Sequence, residues 1–271
     1  MKVIDINSLD RIEIDLYTKY SENQLFHYNE PYPGLFVAES PNVINRALNA
    51  GYEPISFLVE TENMTEEVAN TMEKCDVPVY RVNHDIIKDI NGYTLTRGML
   101  CIMRRKPLLQ VNDVIKNCKT IAILENVMNP TNVGAIMRSA AALNIDAVIL
   151  TNGCADPLYR RAARVSMGTV FQIPWTFIDK KSIWPEDGMS IIKNAGFSTI
   201  AMALKDNTLD IRDEKIGTCE KKAIILGTEG TGIIDETLDL CDYTVKIPMS
   251  HEVDSLNVAA ASAVAFWELT R

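Results

Sequence analysis

Histidine is scarce in this 271-residue sequence: His27, His84 and His251 are its three copies, and they lie far apart. The six cysteines never form a Cys-x-x-Cys pair, so the ligand spacings of zinc and redox motifs are missing and no metal is expected. Cys75, Cys101, Cys118, Cys154, Cys219 and Cys241 read instead as isolated buried thiols of a reducing compartment. No apolar run approaches the ~20 residues of a membrane-spanning helix. The opening Met1-Lys-Val-Ile-Asp-Ile-Asn7 lacks the basic and continuous apolar regions of a signal peptide. A cytoplasmic protein without a membrane partner is expected. Positive charge is also in deficit, since 27 Lys and Arg against 36 Asp and Glu leave a net −9. That balance argues against indiscriminate binding of polyanions. A local patch can still touch phosphate within a Debye length of about 8 Å, and Arg104-Arg105-Lys106 and Arg160-Arg161 with Arg164 are the candidates. Such short runs taken alone read equally well as solvated surface.

What is present is the composition of a globular protein, 47% hydrophobic and long enough for two domains. A strand after Gly34 leads to a helix ending before Gly51. Strand Ile55 to Val59, a helix from Thr65 to Lys74 opened by two glutamates, and strand Val77 to Tyr80 follow. This βαβαβ order predicts a small α/β layer over residues 1–110. Met99 to Met103 is another apolar strand, and Pro107 to Lys119 reads as a short helix or linker. Over 111–271 the alternation is regular, with strands expected at 121–124, 147–150, 171–175, 199–203, 223–226 and 243–247. Helices are expected at 133–143, 157–165, 190–195 and 255–270. Strands apolar on both faces imply a parallel sheet covered by helices. The run Ala259 to Ala265 suits a tightly packed core or a subunit interface.

Three segments carry candidate chemistry, and each leads from an apolar run into small or polar residues, as where parallel strands deliver loops to a shared site. The first is Glu125-Asn-Val-Met-Asn-Pro-Thr-Asn-Val-Gly-Ala-Ile-Met-Arg-Ser-Ala140. Here Thr131 or Asn132 can cap the helix, and Arg138, amid apolar neighbours, calls for a buried anionic partner. The second is Ile225-Leu-Gly-Thr-Glu-Gly230, continuing Thr-Gly232. It lacks the Lys-Ser/Thr ending of a phosphate loop, and Glu229 stands at the strand's carboxyl end, either as a ligand-site residue or as a cap for the following helix. The third is Ile247-Pro-Met-Ser-His-Glu-Val-Asp-Ser-Leu-Asn-Val258, in which Ser255 is a good N-cap for the last helix.

In this order the three segments resemble the signature motifs of the SpoU/TrmH group of SPOUT methyltransferases, over residues 120 to 271. The resemblance implies an α/β fold whose C-terminal parallel-sheet domain holds a deep trefoil knot. It also implies S-adenosylmethionine as cofactor and methyl transfer to a ribose 2′-oxygen of ribosomal or transfer RNA. The catalytic and RNA-contact positions become Asn132, Arg138, Glu229, Ser255 and Asn257. The cofactor would lie against Ala203, Leu226, Gly227, Ile247, Met249 and Leu256, with the backbone at Gly227 approaching it closely. Similar enzymes work as homodimers without a metal, and many carry an L7Ae/L30e-like substrate-binding domain, which the first 110 residues resemble in pattern. Arginine is always protonated in proteins, so Arg138 is expected to orient phosphate and stabilise a developing alkoxide rather than to act as base. The third motif departs from the family where His251 stands in place of a glycine, which would alter the loop or its φ angle. A catalytically silent RNA-binding protein on the same scaffold is the alternative, and retention of all five catalytic positions disfavours it. A nucleotide-dependent dehydrogenase lacks its fingerprint loop.

Overall fold

The computed structural model describes residues 2–8, 10–84, 98–205, 208–251 and 255–271, which fall into two units. Met1–Pro107 with Leu158–Phe171 form the first, and Leu108–Pro157 with Gln172–Arg271 form the second. In the first, β1 (Val3–Ile6), β2 (Leu35–Glu39), β3 (Pro54–Glu60), β4 (Val79–Val82) and β5 (Met99–Arg104) make a sheet ordered β1-β4-β3-β5-β2. Strands β1, β4 and β3 are parallel, whereas β5 runs antiparallel to both its neighbours. Parallel neighbours need a crossover. The helix Glu66–Glu73 supplies it between β3 and β4, with Thr65 accepting from the Val68 amide as its N-cap. Ile6, Leu58, Leu100 and Ile102 are buried at the centre of this unit's core. The edge strand β1 was not anticipated from the sequence.

Among the described residues the second unit holds seven parallel strands. These are β6 (Thr120–Leu124), β7 (Ala147–Leu150), β8 (Trp175–Phe177), β9 (Ser198–Met202), β10 (Leu209–Asp210), β11 (Lys222–Leu226) and β12 (Tyr243–Lys246). Their order is β10-β12-β9-β11-β6-β7-β8. Every residue of β7 and β11 is buried, which explains why these strands are apolar on both faces. The chain starts on β6, runs outward through β7 and β8, and returns on the other side of β6, so the winding reverses there. Ligand sites of open α/β sheets form at such a reversal, beyond the carboxyl ends of the strands.

Several elements differ from expectation. The stretch Thr169–Phe171 is a 3-10 turn, and the edge strand β8 starts only after Pro174, which has no N–H to donate and joins the ladder only through its carbonyl, accepting from the Val148 amide. The helix expected over 255–270 runs Val258–Leu269, capped by Asn257 and not by Ser255. The helix Pro130–Ala142 is capped by Asn129, whose side chain accepts from the Thr131 amide, so neither Thr131 nor Asn132 is the cap. These two helices pack on one another. Gly134 and Ala140 on one, and Ser262 and Ala265 on the other, are buried. No helix among the described residues is long and apolar enough to cross a membrane.

Candidate active site

Strands β12, β9 and β11 are neighbours in the sheet, so the chain leaves all three at one edge. There a cavity of about 540 Å³ opens. Ala203, Leu226, Gly227, Ile247, Met249 and Leu256 all line it, and so do Glu229, Ser255 and Asn257. The second motif shapes one wall. Its loop folds back so that the Gly232 amide donates to the Thr228 carbonyl at 3.1 Å, with Gly230 and Gly232 at φ +102° and +71°. Only glycine takes such angles without steric cost. Glu229, directly before Gly230 in this loop, is exposed and caps no helix. Gly227 is required by the protein's own packing. A Cβ there would stand 2.3 Å from the carbonyl carbon of Gly232 and 2.5 Å from the Ile233 nitrogen, so the close approach is made by the protein's own backbone.

The third motif meets the first through Asn257. Its Oδ1 accepts from the Ala259 amide at 2.9 Å, which caps the final helix and turns the side-chain NH2 the other way. That group donates to Asn132 Oδ1 at 3.3 Å and to the Glu229 carboxylate. Asn132 is buried, freed for this contact because Asn129 does the capping. Asn132, Glu229 and Asn257 therefore form one polar network at the cavity, with Ser255 on its lining. Arg138 stands apart. The apolar residues of its helix, Ile136, Met137 and Ala140, turn inward, and Arg138 is exposed with no polar partner among the described residues. The expected buried anion is not there, because the apolar neighbours in sequence lie on the opposite face. His251 takes φ +58°, the left-handed conformation that glycine favours, so the imidazole is accommodated without changing the turn's hand. The adjoining residues 252–254 fall outside those described.

Glu125 opens the first motif at the end of β6. It is wholly buried and accepts from Trp184 Nε1 at 2.6 Å, the Ile234 amide at 2.8 Å and the Thr237 hydroxyl at 2.5 Å. This carboxylate ties the end of β6 to the residues that follow the glycine loop. A sequence clue existed, an acid directly after the apolar run Ile121–Leu124, but its partners lie 59 to 112 residues away.

The basic candidates belong to the first unit, where most have partners. Arg160 Nε lies 2.8 Å and Arg164 3.4 Å from the buried Glu39 carboxylate. Arg105 donates to the Leu35 carbonyl and stacks over Phe26, and Lys106 donates to the Ala50 carbonyl over the ring of Tyr52. Each of these four has a partner within the fold, although Lys106 remains exposed. Arg161 is exposed, and Arg104 makes only a loose 3.8 Å pair with Glu53. Among the described residues no three His, Cys, Asp or Glu side chains converge as a metal site.

The sequence pattern of the SpoU rRNA Methylase family matches residues 119–267, more than half of the chain. An uncharacterized tRNA/rRNA methyltransferase of Mycobacterium bovis is 37% identical over 98% of this chain and 86% of its own length. The 23S rRNA (guanosine-2'-O-)-methyltransferase RlmB of Acinetobacter baylyi is 27% identical over 76% of this chain and 83% of that protein. In fold, the chain is similar to the AdoMet-bound rRNA methyltransferase from Sinorhizobium meliloti. That likeness has a TM-score of 0.79 and 23% identity, and covers 98% of this chain and 97% of that one. The motifs, the parallel sheet and these likenesses agree: the chain belongs to the SpoU rRNA Methylase family.

Proposed function

We propose that this protein transfers a methyl group from S-adenosylmethionine to a ribose 2′-oxygen of ribosomal or transfer RNA in the cytoplasm. The observation that carries the reading is that the second and third motifs line one cavity and that Asn257, on its lining, joins Asn132 of the first motif to Glu229 of the second. The residues fit the cofactor. A volume of about 540 Å³ lies within the ordinary range for small-molecule sites, and walls from Leu226, Ile247, Met249 and Leu256 suit an apolar ring system. Backbone groups at the carboxyl ends of β9, β11 and β12 supply the polar contacts that fix orientation. The cofactor supplies an activated methyl group on sulfonium sulfur.

The chain's own part is to align and to stabilise charge. Holding the acceptor oxygen in line with the methyl carbon supplies several kcal/mol by positioning alone. The Asn132–Glu229–Asn257 network fixes the polar edge of the cavity against which a ribose lies. Arg138 orients the RNA phosphate and stabilises the alkoxide as it develops, and its exposure, away from the cavity lining, suits action across a subunit boundary. A homodimer fits a second feature: Ala260, Val264 and Trp267 recur along the final helix, with Val264 40% and Trp267 58% exposed. Residues 1–110 serve as the RNA-recognition domain of the L7Ae/L30e-like kind.

The test is incubation of the purified protein with methyl-labelled cofactor and fractionated cellular RNA, followed by nuclease digestion to nucleosides. Label in a 2′-O-methylnucleoside is the expected result. Label on a base, or none in any RNA, overturns the proposal. Sedimentation of the same sample should give twice the 30.3 kDa chain mass.

A further inference from the structure

Most cations described in the first unit already have partners. Arg11 pairs with Glu13 at 2.5 Å, Lys19 with Asp15 at 2.9 Å, Arg81 with Asp5 at 2.6 Å, and Arg160 and Arg164 with Glu39. Cations paired in this way offer fewer sites for the counterion release that drives electrostatic binding of nucleic acids. Exposed aromatic rings are present instead. Tyr20, Tyr28 and Tyr32 are 40%, 46% and 75% exposed. Tyr20 and Tyr28 meet edge to face at 5.5 Å, and His27 packs likewise on Phe26 at 4.8 Å. The Arg105 guanidinium covers Phe26 at 4.6 Å.

The segment bearing these rings is held in shape before any ligand arrives. Ser21 and Gln24 form a reciprocal capping box on the helix Glu22–Phe26, Leu25 anchors it in the core, and Asn29 Nδ2 donates to the Pro33 carbonyl at 3.3 Å. Rings fixed in advance lose little freedom on binding. Glu30, paired with His27 in the same turn, disfavours a phosphate there but not a base. Arg104 stands in register with Leu35, at the strand that Tyr32 leads into through Pro33 and Gly34.

We propose that Tyr20, Tyr28 and Tyr32, with the Arg105–Phe26 stack, form a platform for unpaired bases of the RNA substrate, with Arg104 as the adjoining phosphate contact. This rests on the RNA methyltransferase reading. Every base has a π-face, so the platform holds single strands with little regard to sequence, and it rejects A-form duplex, whose bases are hidden in the stack.

The test uses the full chain and a fluorescein-labelled single-stranded RNA of mixed sequence, with a duplex of the same sequence as control. Tyr28→Ala with Tyr32→Ala should weaken single-strand binding at least about tenfold, the scale of one lost base stack. Tyr28→Phe with Tyr32→Phe should bind within about twofold of wild type, since stacking needs only the ring. The log–log salt slope should stay below about 2 in every variant, from ~0.7 per phosphate contact on single strands. Both double variants should melt like wild type, because the rings are exposed. Unchanged affinity in the alanine variant, equal losses in the alanine and phenylalanine variants, tighter binding of duplex, or a steep salt slope each overturns the platform. Methylation of cellular RNA separates the two readings. An alanine variant that methylates with unchanged KM for RNA sinks the platform alone, while a wild-type chain that neither binds nor methylates RNA sinks both.

Discussion

Removing the Glu125 carboxylate tests how the glycine loop is held. Its two strict donors sit on different oxygens: Trp184 Nε1 on Oε2 and the Ile234 amide on Oε1. The Thr237 hydroxyl can turn to donate or accept, but an indole and a backbone N–H cannot. Glu125→Ala leaves both strict donors unsatisfied in the interior. At roughly 1–3 kcal/mol each the loss is about 2–6 kcal/mol, a large part of a stability of about 5–15 kcal/mol. Melting should fall by roughly 2–4 °C per kcal/mol for a unit of this size. Glu125→Gln keeps the shape, yet its single amide oxygen can serve only one strict donor while the NH2 faces the other, so about 1–3 kcal/mol should be lost. A double-mutant cycle measured by urea unfolding decides the matter. In a Trp184→Phe background one strict donor is gone, the amide oxygen can serve Ile234, and the NH2 can meet Thr237. There Glu125→Gln should cost almost nothing beyond Trp184→Phe itself. An equal cost in both backgrounds refutes the reasoning. Because Ile233 and Asp235 line the cavity, Glu125→Ala should also weaken S-adenosylmethionine binding in calorimetry.

Gly227→Ala places a Cβ 2.3 Å from the Gly232 backbone, so the loop that walls the cavity must withdraw by about 1 Å, a misplacement that costs on the order of 100-fold in rate where reactants are aligned. Cofactor binding by calorimetry should be lost while circular dichroism remains native, and normal affinity would show that the loop does not shape the pocket. Arg138→Ala should lower turnover roughly 10²- to 10⁴-fold, the scale for a lost transition-state charge stabiliser, with cofactor affinity unchanged because Arg138 lines no part of the cavity. Methyl-transfer kinetics beside calorimetry would expose the opposite split. Burial pushes the Cys241 thiol up to about 12, so it is neutral at pH 8 and lacks the thiolate that reacts. Iodoacetamide followed by peptide mass mapping should spare Cys241 until urea is added, and equal labelling of the native chain would contradict this.

The sequence by itself determined the parallel α/β unit and the residues that line its cavity. Strands such as Ala147–Leu150 and Lys222–Leu226 are buried along their whole length, and a run apolar on both faces has few other places to fold. The three motifs were legible for a related reason: each sits where a strand ends, and strand ends of a parallel sheet face the same way. Burial on a helix was not legible. Arg138 among alanines and isoleucine read as a buried cation, but the helix's rotation puts it on the solvent face, and only packing against the final helix sets that rotation. Capping was not legible where several cap-forming residues stand close together: Asn129 rather than Thr131 or Asn132, and Asn257 rather than Ser255, cap their helices, and only the point at which the chain enters each helix decides between them. The partners of Glu125, Arg160 and Arg164 were hidden for a simpler reason. Each is brought by a different element from far along the chain, and the carboxylate or carbonyl that consumes a charge exists at that place only after the tertiary fold has formed.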